Sequence, residues 1–185
     1  MRHWSKKFLF MFLIALLGIQ TTLAHQKGWR DKFLSQVFPE AVKFTSRKVT
    51  ISSDQLSRIE QIIGERINSE DRNPTFYPSF NKDGKKIGYV LFTDQAGENG
   101  LIEMGVSVDT GGKVIHVIIF SSREDKQISE PGFLDQFHGK RIKDFFKPGV
   151  DITLVAGSQK GSEAVIWGVQ KVLLIKQEVF GDQNP

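Results

Sequence analysis

The 185-residue chain has no cysteine. Disulfides, thiolate metal sites and lipid attachment at a cysteine are thereby excluded, and stability has to come from packing. Histidine is scarce, at four, and His25, His116 and His138 show no metal-ligand spacing; each reads as a single structural histidine. There is no Gly-x-Gly-x-x-Gly fingerprint for a nicotinamide cofactor. The only serine between close glycines, Ser158 in Gly157-Ser158-Gln159-Lys160-Gly161, does not match a nucleophile elbow. Internal repeats and low-complexity runs are also missing. The longest uncharged apolar run, Phe8 to Ile19, falls short of the ~20 residues a membrane-spanning helix needs.

That run is the middle of a three-part leader. Arg2, Lys6 and Lys7 precede it, and Thr22-Leu23-Ala24 follows with small residues, which predicts a secretory signal peptide over residues 1–24 cleaved after Ala24. The expected location is periplasmic or otherwise extracytoplasmic; an uncleaved leader would instead anchor the chain in the membrane. The charge of +4 comes from 25 basic and 21 acidic residues. Setting aside the three basic residues of the leader leaves 22 against 21, so no basic nucleic-acid footprint remains. The residues after the leader suit one domain, and 15 phenylalanines supply a core.

The periodicity changes twice along the chain. His25 to Phe38 reads as a helix with Trp29, Phe33, Leu34 and Val37 on one face, ended by Pro39. Ala41 to Val49 is mixed. Ser52 and Gln55 form a capping box ahead of Leu56, Ile59, Ile63 and Ile67, predicting a helix over Ser53 to Ile67 and then a polar linker, Asn68 to Asn73. From Thr75 the period becomes two. Thr75 to Phe80 is a strand that Pro78 would place at an edge. Asn81 to Gly84 turns into a second strand, Lys86 to Thr93; Gly97 to Gly100 leads to Leu101 to Val108, and Asp109 to Gly112 to Lys113 to Phe120. Four strands in sequence make an antiparallel meander. Pro131 to Phe137 then reads as a short helix, Arg141 to Phe146 as a shorter element stopped by Pro148, and Asp151 to Val155 as a strand returning to the sheet edge. Ser162 to Lys176 is a last helix with Val165, Val169, Val172 and Leu173 on one face and Ser162 or Gly161 at its N-cap. The expected fold is α+β: a meander sheet flanked by helices, in one domain with a helical part over residues 25–74 and an α+β part over 75–185.

The stretch Asp151 to Ser162, D-I-T-L-V-A-G-S-Q-K-G-S, is the clearest candidate site. A glycine- and hydroxyl-rich loop entering a helix can hold a phosphate, because first-turn N–H groups lack intrahelical partners and the helix dipole favours an anion. An ordinary capped helix after a surface loop is the plainer reading. Lys140 and Arg141 are further candidates to neutralise a phosphate, and Tyr89, Phe92, Phe120 and Trp167 to pack on an aromatic ring. A solvated basic pair and core aromatics are the plain alternatives.

Three segments in order, G-V-S-V-D-T-G-G-K-V-I-H-V-I-I, then S-E-P-G-F-L-D-Q-F-H-G-K, then D-I-T-L-V-A-G-S-Q-K-G-S-E-A-V, resemble the FMN-binding domain family. That family includes periplasmic flavin subunits of ion-translocating electron-transfer complexes. The resemblance runs from about Phe38 onward, and V-F-P-E-A and T-I-S-S-D-Q-L also look like its shorter free-standing members. It implies FMN as cofactor and electron transfer with a membrane-bound or periplasmic redox protein, with no metal and no nucleic acid. Glu130, Pro131 and Gly132 match in part the family's E-T-P-G turn near the flavin, without its threonine. Ala156, Gly157, Ser158, Gln159, Lys160, Gly161 and Ser162 stand where many members have S-G-A-T followed by further hydroxyl residues. In those members the threonine is esterified to the FMN phosphate. Here Gln159 takes its place and cannot form that ester, so noncovalent FMN is the expectation; Ser158 and Ser162 are out of register. The alternative is a non-redox binding or scaffold module of the same fold without flavin. A stand-alone flavin reductase is disfavoured because the nicotinamide fingerprint is missing.

Overall fold

The computed structural model describes residues 32–64, 66–67 and 71–181. The leader and residues 25–31 of the first expected helix lie outside them. In chain order the elements are helix α1 over residues 32–37, strands β1 (Lys43–Phe44) and β2 (Arg47–Lys48), helix α2 (Ser53–Ile63), strands β3 (Thr75–Phe80), β4 (Lys86–Ala96), β5 (Leu101–Asp109) and β6 (Val114–Ser121), the short helix α3 (Pro131–Leu134) and helix α4 (Gln159–Phe180). Single 3₁₀ turns, Lys126–Ser129 and Asp135–Phe137, flank α3. The sheet order is β1-β3-β4-β5-β6, with β2 also beside β3 and every pairing antiparallel. This is the α+β meander expected.

Pro78 explains the one irregular edge, and corrects the sequence expectation. It was expected to put β3 at the sheet edge, yet β3 is interior. Lys43 pairs with Phe80, Phe44 with Ser79, Arg47 with Phe76 and Lys48 with Thr75, so β1 and β2 keep one register along β3. The gap between them falls opposite Pro78. Thr45 N–H donates to Pro78 O at 3.1 Å, but proline has no N–H to return the bond. The mixed segment after Ala41 is therefore one edge strand interrupted where its partner lacks a donor. Val49 N–H and Ile51 N–H, donating to Pro74 O and Arg72 O at 3.0 Å each, carry the contact past β2.

Other boundaries shift for local reasons. Helix α2 has the expected capping box at Ser52 and Gln55 but stops at Ile63, because Gly64 takes a left-handed φ of 80° and its N–H closes on Glu60 O. Ile67, beyond the helix, is buried all the same. Arg141 to Phe146 forms a turn rather than a regular element. Asp151 to Val155 is not a sheet strand: its one bridge joins Ile152 to Pro148. The last helix begins at Gln159 and runs to Phe180, with Ser158 rather than Ser162 or Gly161 as its N-cap.

Helix α4 is the central element, buried on nearly every side from Gly161 to Lys176. One side rests on β4 and β5, another on α2. Gly168 lets it approach the sheet, since a Cβ there would come within 2.7 Å of Met104 Sδ. The join to α2 is polar: Arg58 forks onto the Glu178 carboxylate, with Nη2 2.7 Å from Oε2, and Gln55 Nε2 donates to Glu178 O. The hydrogen bond to the Glu178 carboxylate raises the Arg58 guanidinium above its ordinary pKa. Lys171, buried within α4, is held by Asp71 and by Asp94 O at 3.2 Å. The opposite sheet face is covered by α1. Leu34, Val37 and Phe38 pack there with Val90 and Phe120, and Ser107 Oγ donates to Val37 O at 2.7 Å.

Candidate functional site

The candidate loop turns at Gly157, whose φ of +80° belongs to the left-handed region that glycine enters freely. Ser158 follows as N-cap without making a side-chain cap bond. Gln159, Lys160, Gly161 and Ser162 thus belong to the first helical turn rather than to a loop. Ser162 N–H is the first to find a helix partner, Ser158 O at 2.9 Å. The N–H groups of Gln159, Lys160 and Gly161 have no acceptor among the described residues, as expected for a helix start. Ser162 is buried and its hydroxyl is committed: it donates to Ser158 O at 2.8 Å and accepts from Val155 N–H at 3.0 Å. Ala156, Gly157, Gln159 and Lys160 are exposed, whereas Ser158 and Gly161 are buried.

A residue that the sequence did not point to stands against this turn. Glu124, half-buried after β6, accepts from Asn99 N–H at 2.6 Å on Oε1, and from Asn99 Nδ2 at 3.2 Å and Ser158 Oγ at 3.4 Å on Oε2. Two glycines clear its place. A Cβ on Gly97 would lie 2.4 Å from Oε1, and one on Gly161 would lie 3.0 Å from Oε2. A carboxylate of the chain itself thus faces the positive end of α4, where the helix dipole stabilises it by about 0.3–1 kcal/mol. Lys160 pairs loosely with Glu98, at 3.6 Å with both side chains well exposed, a contact worth little in water. No sequence signal marks Glu124, because Gly97, Asn99 and Gly161 reach it only through the fold.

Glu130, Pro131 and Gly132 are exposed at the start of α3. Pro131 occupies the first helical position, where its missing N–H costs nothing, and the space beside Gly132 is open. Among the described residues no hydrogen bond joins these three to residues 156–162. The two segments are instead tied through neighbours: Thr153 N–H donates to Gln136 Oε1 at 2.8 Å, and Gln136 Nε2 to Thr153 O at 3.2 Å. Asp151 serves its own turn by accepting from Lys147 N–H at 3.1 Å.

The remaining candidates divide between core and surface. Tyr89 is buried, stacked on Phe180 with ring centroids 4.6 Å apart. Phe92 and Phe120 lie on the α1 face, 5.5 Å from each other. Trp167 stays partly exposed, seven residues after Lys160 and so on the same side of α4. It lines a cleft of about 210 Å³ with Leu101, Ala96 and Ile63. Lys140 donates to Phe145 O at 3.0 Å and Arg141 Nη1 to Gly111 O at 3.0 Å, so both are occupied with their own loop and the β5–β6 turn. His138 Nδ1 lies 2.8 Å from Ile115 O. Among the described residues no group of three or more His, Asp or Glu is placed to hold a metal ion.

No protein-family model matches the chain, and no curated protein matches its sequence. Among solved structures, the chain is similar to NqrC of Shewanella oneidensis at 15% identity, over 77% of this chain and 73% of that one, with a TM-score of 0.47.

Proposed function

We propose that the chain is an extracytoplasmic electron-transfer module of the FMN-binding type. It holds FMN noncovalently at the start of α4 and exchanges electrons with a membrane-bound or periplasmic redox protein. The observation that carries this reading is the set of three N–H groups at Gln159, Lys160 and Gly161 that have no acceptor among the described residues. They follow the Gly157 turn and have the exposed Lys160 ammonium at their rim. Such a set fits a phosphate, supplying directional donors and a positive field together. The exposed Gln159 amide adds a donor but no ester-forming hydroxyl. Trp167, alone of the four aromatic candidates, combines partial exposure with a place on the Lys160 side of α4, and it is the residue assigned to ring contact. FMN, when bound, supplies the redox chemistry; the chain binds it, orients it and tunes its surroundings.

One observation favours a second reading, a binding or scaffold module without flavin. Glu124 already places a negative charge beside the helix start. Titration of the purified chain with FMN, followed by flavin fluorescence before and after denaturing electrophoresis, separates the two. Saturable binding that is lost on denaturation supports the flavin module. A chain that binds no FMN refutes it and leaves the scaffold reading. Fluorescence that travels with the denatured chain after co-expression with a flavin transferase would show an ester and refute the noncovalent assignment.

A further inference from the structure

The segment from Lys140 to Asp151 presents two of its large apolar side chains to solvent. Phe145 is 79% exposed and Val150 70%. The backbone that carries them is held in place. Arg141 N–H donates to Asp144 Oδ2 at 2.7 Å, Lys147 N–H to Asp151 Oδ2 at 3.1 Å, Lys140 Nζ to Phe145 O at 3.0 Å and Gly149 N–H to Ile152 O at 2.8 Å. Phe146, next to the outward Phe145, is buried under the Lys140 ammonium, which lies 5.3 Å from its ring centroid. The outward pose of Phe145 therefore belongs to an ordered turn.

Charge surrounds these apolar tips in a definite pattern. Lys143 and Lys147 are exposed on either side of Phe145, and no ion pair among the described residues involves them. The two acids of the segment accept from its own N–H groups, as above. Next to the turn, Arg141 and Lys143 line a cleft of about 200 Å³ together with Gly111, Gly112 and Lys176. Its lining has three basic residues and no acidic one among the described residues.

We infer that this turn is a docking surface for a bilayer containing anionic phospholipid. Phe145 and Val150 would enter the headgroup layer, Lys143 and Lys147 would face lipid phosphates, and the Arg141–Lys143 cleft would take one headgroup phosphate. The composition decides between lipid and protein. Lysine is depleted in the cores of protein interfaces, whereas apolar tips flanked by basic side chains with long stems are what an anionic membrane surface selects. The inference stands independently of the flavin reading.

The test is a Phe145→Trp variant of the full chain, mixed with vesicles whose acyl chains are brominated. Emission of the wild-type chain, which has Trp4, Trp29 and Trp167, is subtracted, so any membrane contact made by the leader drops out. With vesicles one quarter phosphatidylglycerol, the added tryptophan should shift to shorter wavelength and be quenched, because its ring would reach the headgroup–acyl boundary where the bromines lie. The quenching should vanish with pure phosphatidylcholine, and again when Lys143→Glu and Lys147→Glu are added. An added emission that is unquenched in anionic vesicles overturns the proposal and leaves the turn to a protein partner or to solvent. Equal quenching in neutral vesicles overturns the assignment to anionic lipid.

Discussion

If FMN phosphate binds the first turn of α4, Glu124→Gln should tighten that binding. The carboxylate oxygen Oε2 lies 3.4 Å from Ser158 Oγ and 3.0 Å from the Cβ position of Gly161. A phosphate accepting from that turn sits roughly 3 Å from its donors, which brings it within about 6 Å of Glu124. Two unit charges at this distance repel by about 0.7 kcal/mol in water and about 3 kcal/mol at an effective dielectric of 20. Glu124 is half-buried, so about 1–2 kcal/mol is the working figure, a five- to thirty-fold fall in Kd. Glutamine keeps an acceptor for Asn99 N–H, but the bonds to Asn99 and Ser158 lose their charge. That costs the FMN-free protein about 0.5–1.5 kcal/mol, a fall in Tm of about 2–5 °C at this chain length. The assay pairs an FMN titration at fixed low ionic strength with thermal melts of both proteins, with and without ligand. Affinity should rise while FMN-free stability falls. A folded variant whose Kd stays within about twofold of wild type would refute the placement of phosphate beside Glu124. Two proteins that both fail to bind would refute the flavin reading itself.

Gly161→Ala drives a methyl to 2.6 Å from Ser158 Oγ and 3.0 Å from Glu124 Oε2. It should destabilise by about 1–3 kcal/mol, and a urea midpoint equal to wild type would contradict the packing described. Pro78→Ala restores the missing donor opposite Thr45, so the new amide should be protected in hydrogen exchange. Net stability should change by less than about 1 kcal/mol, because the hydrogen bond gained offsets the chain entropy that proline had removed; exchange at the solvent rate would refute the continuous register. Asp71→Asn leaves the buried Lys171 ammonium without its carboxylate and should cost about 3 kcal/mol. Adding Lys171→Met should recover most of that loss in the same denaturation assay, and a double variant no more stable than the single one would show that the pair is not the source.

What the sequence revealed depended on how far apart in the chain the partners lie. The meander was legible because each strand pairs with its neighbour across a short turn, as β4 and β5 do from Gly88↔Asp109 to Ala96↔Leu101. The start of α2 was legible because Ser52 and Gln55 cap each other within four residues. The edge strand was not: Lys43 pairs with Phe80, and two-residue pieces interrupted opposite a proline leave no alternation to read. Asp151 to Val155 looked like a strand by composition, yet Ile152 and Val155 are buried in the main core without joining a ladder. At the candidate site, the glycine turn and helix start were visible as a local pattern, while Glu124 was hidden because it meets Ser158 across 34 residues.

The same carboxylate has a mechanical consequence. Its two oxygens hold the tip of the β4–β5 hairpin through Asn99 and the first turn of α4 through Ser158. Hairpin tips and helix ends ordinarily fray one by one, as separate low-energy openings. Here a single carboxylate bonds to both, so a displacement of Glu124 takes a contact from each at once. A ligand that draws Glu124 away from α4 would loosen a hairpin some sixty residues earlier in the chain, and would register there as faster amide exchange around Asn99.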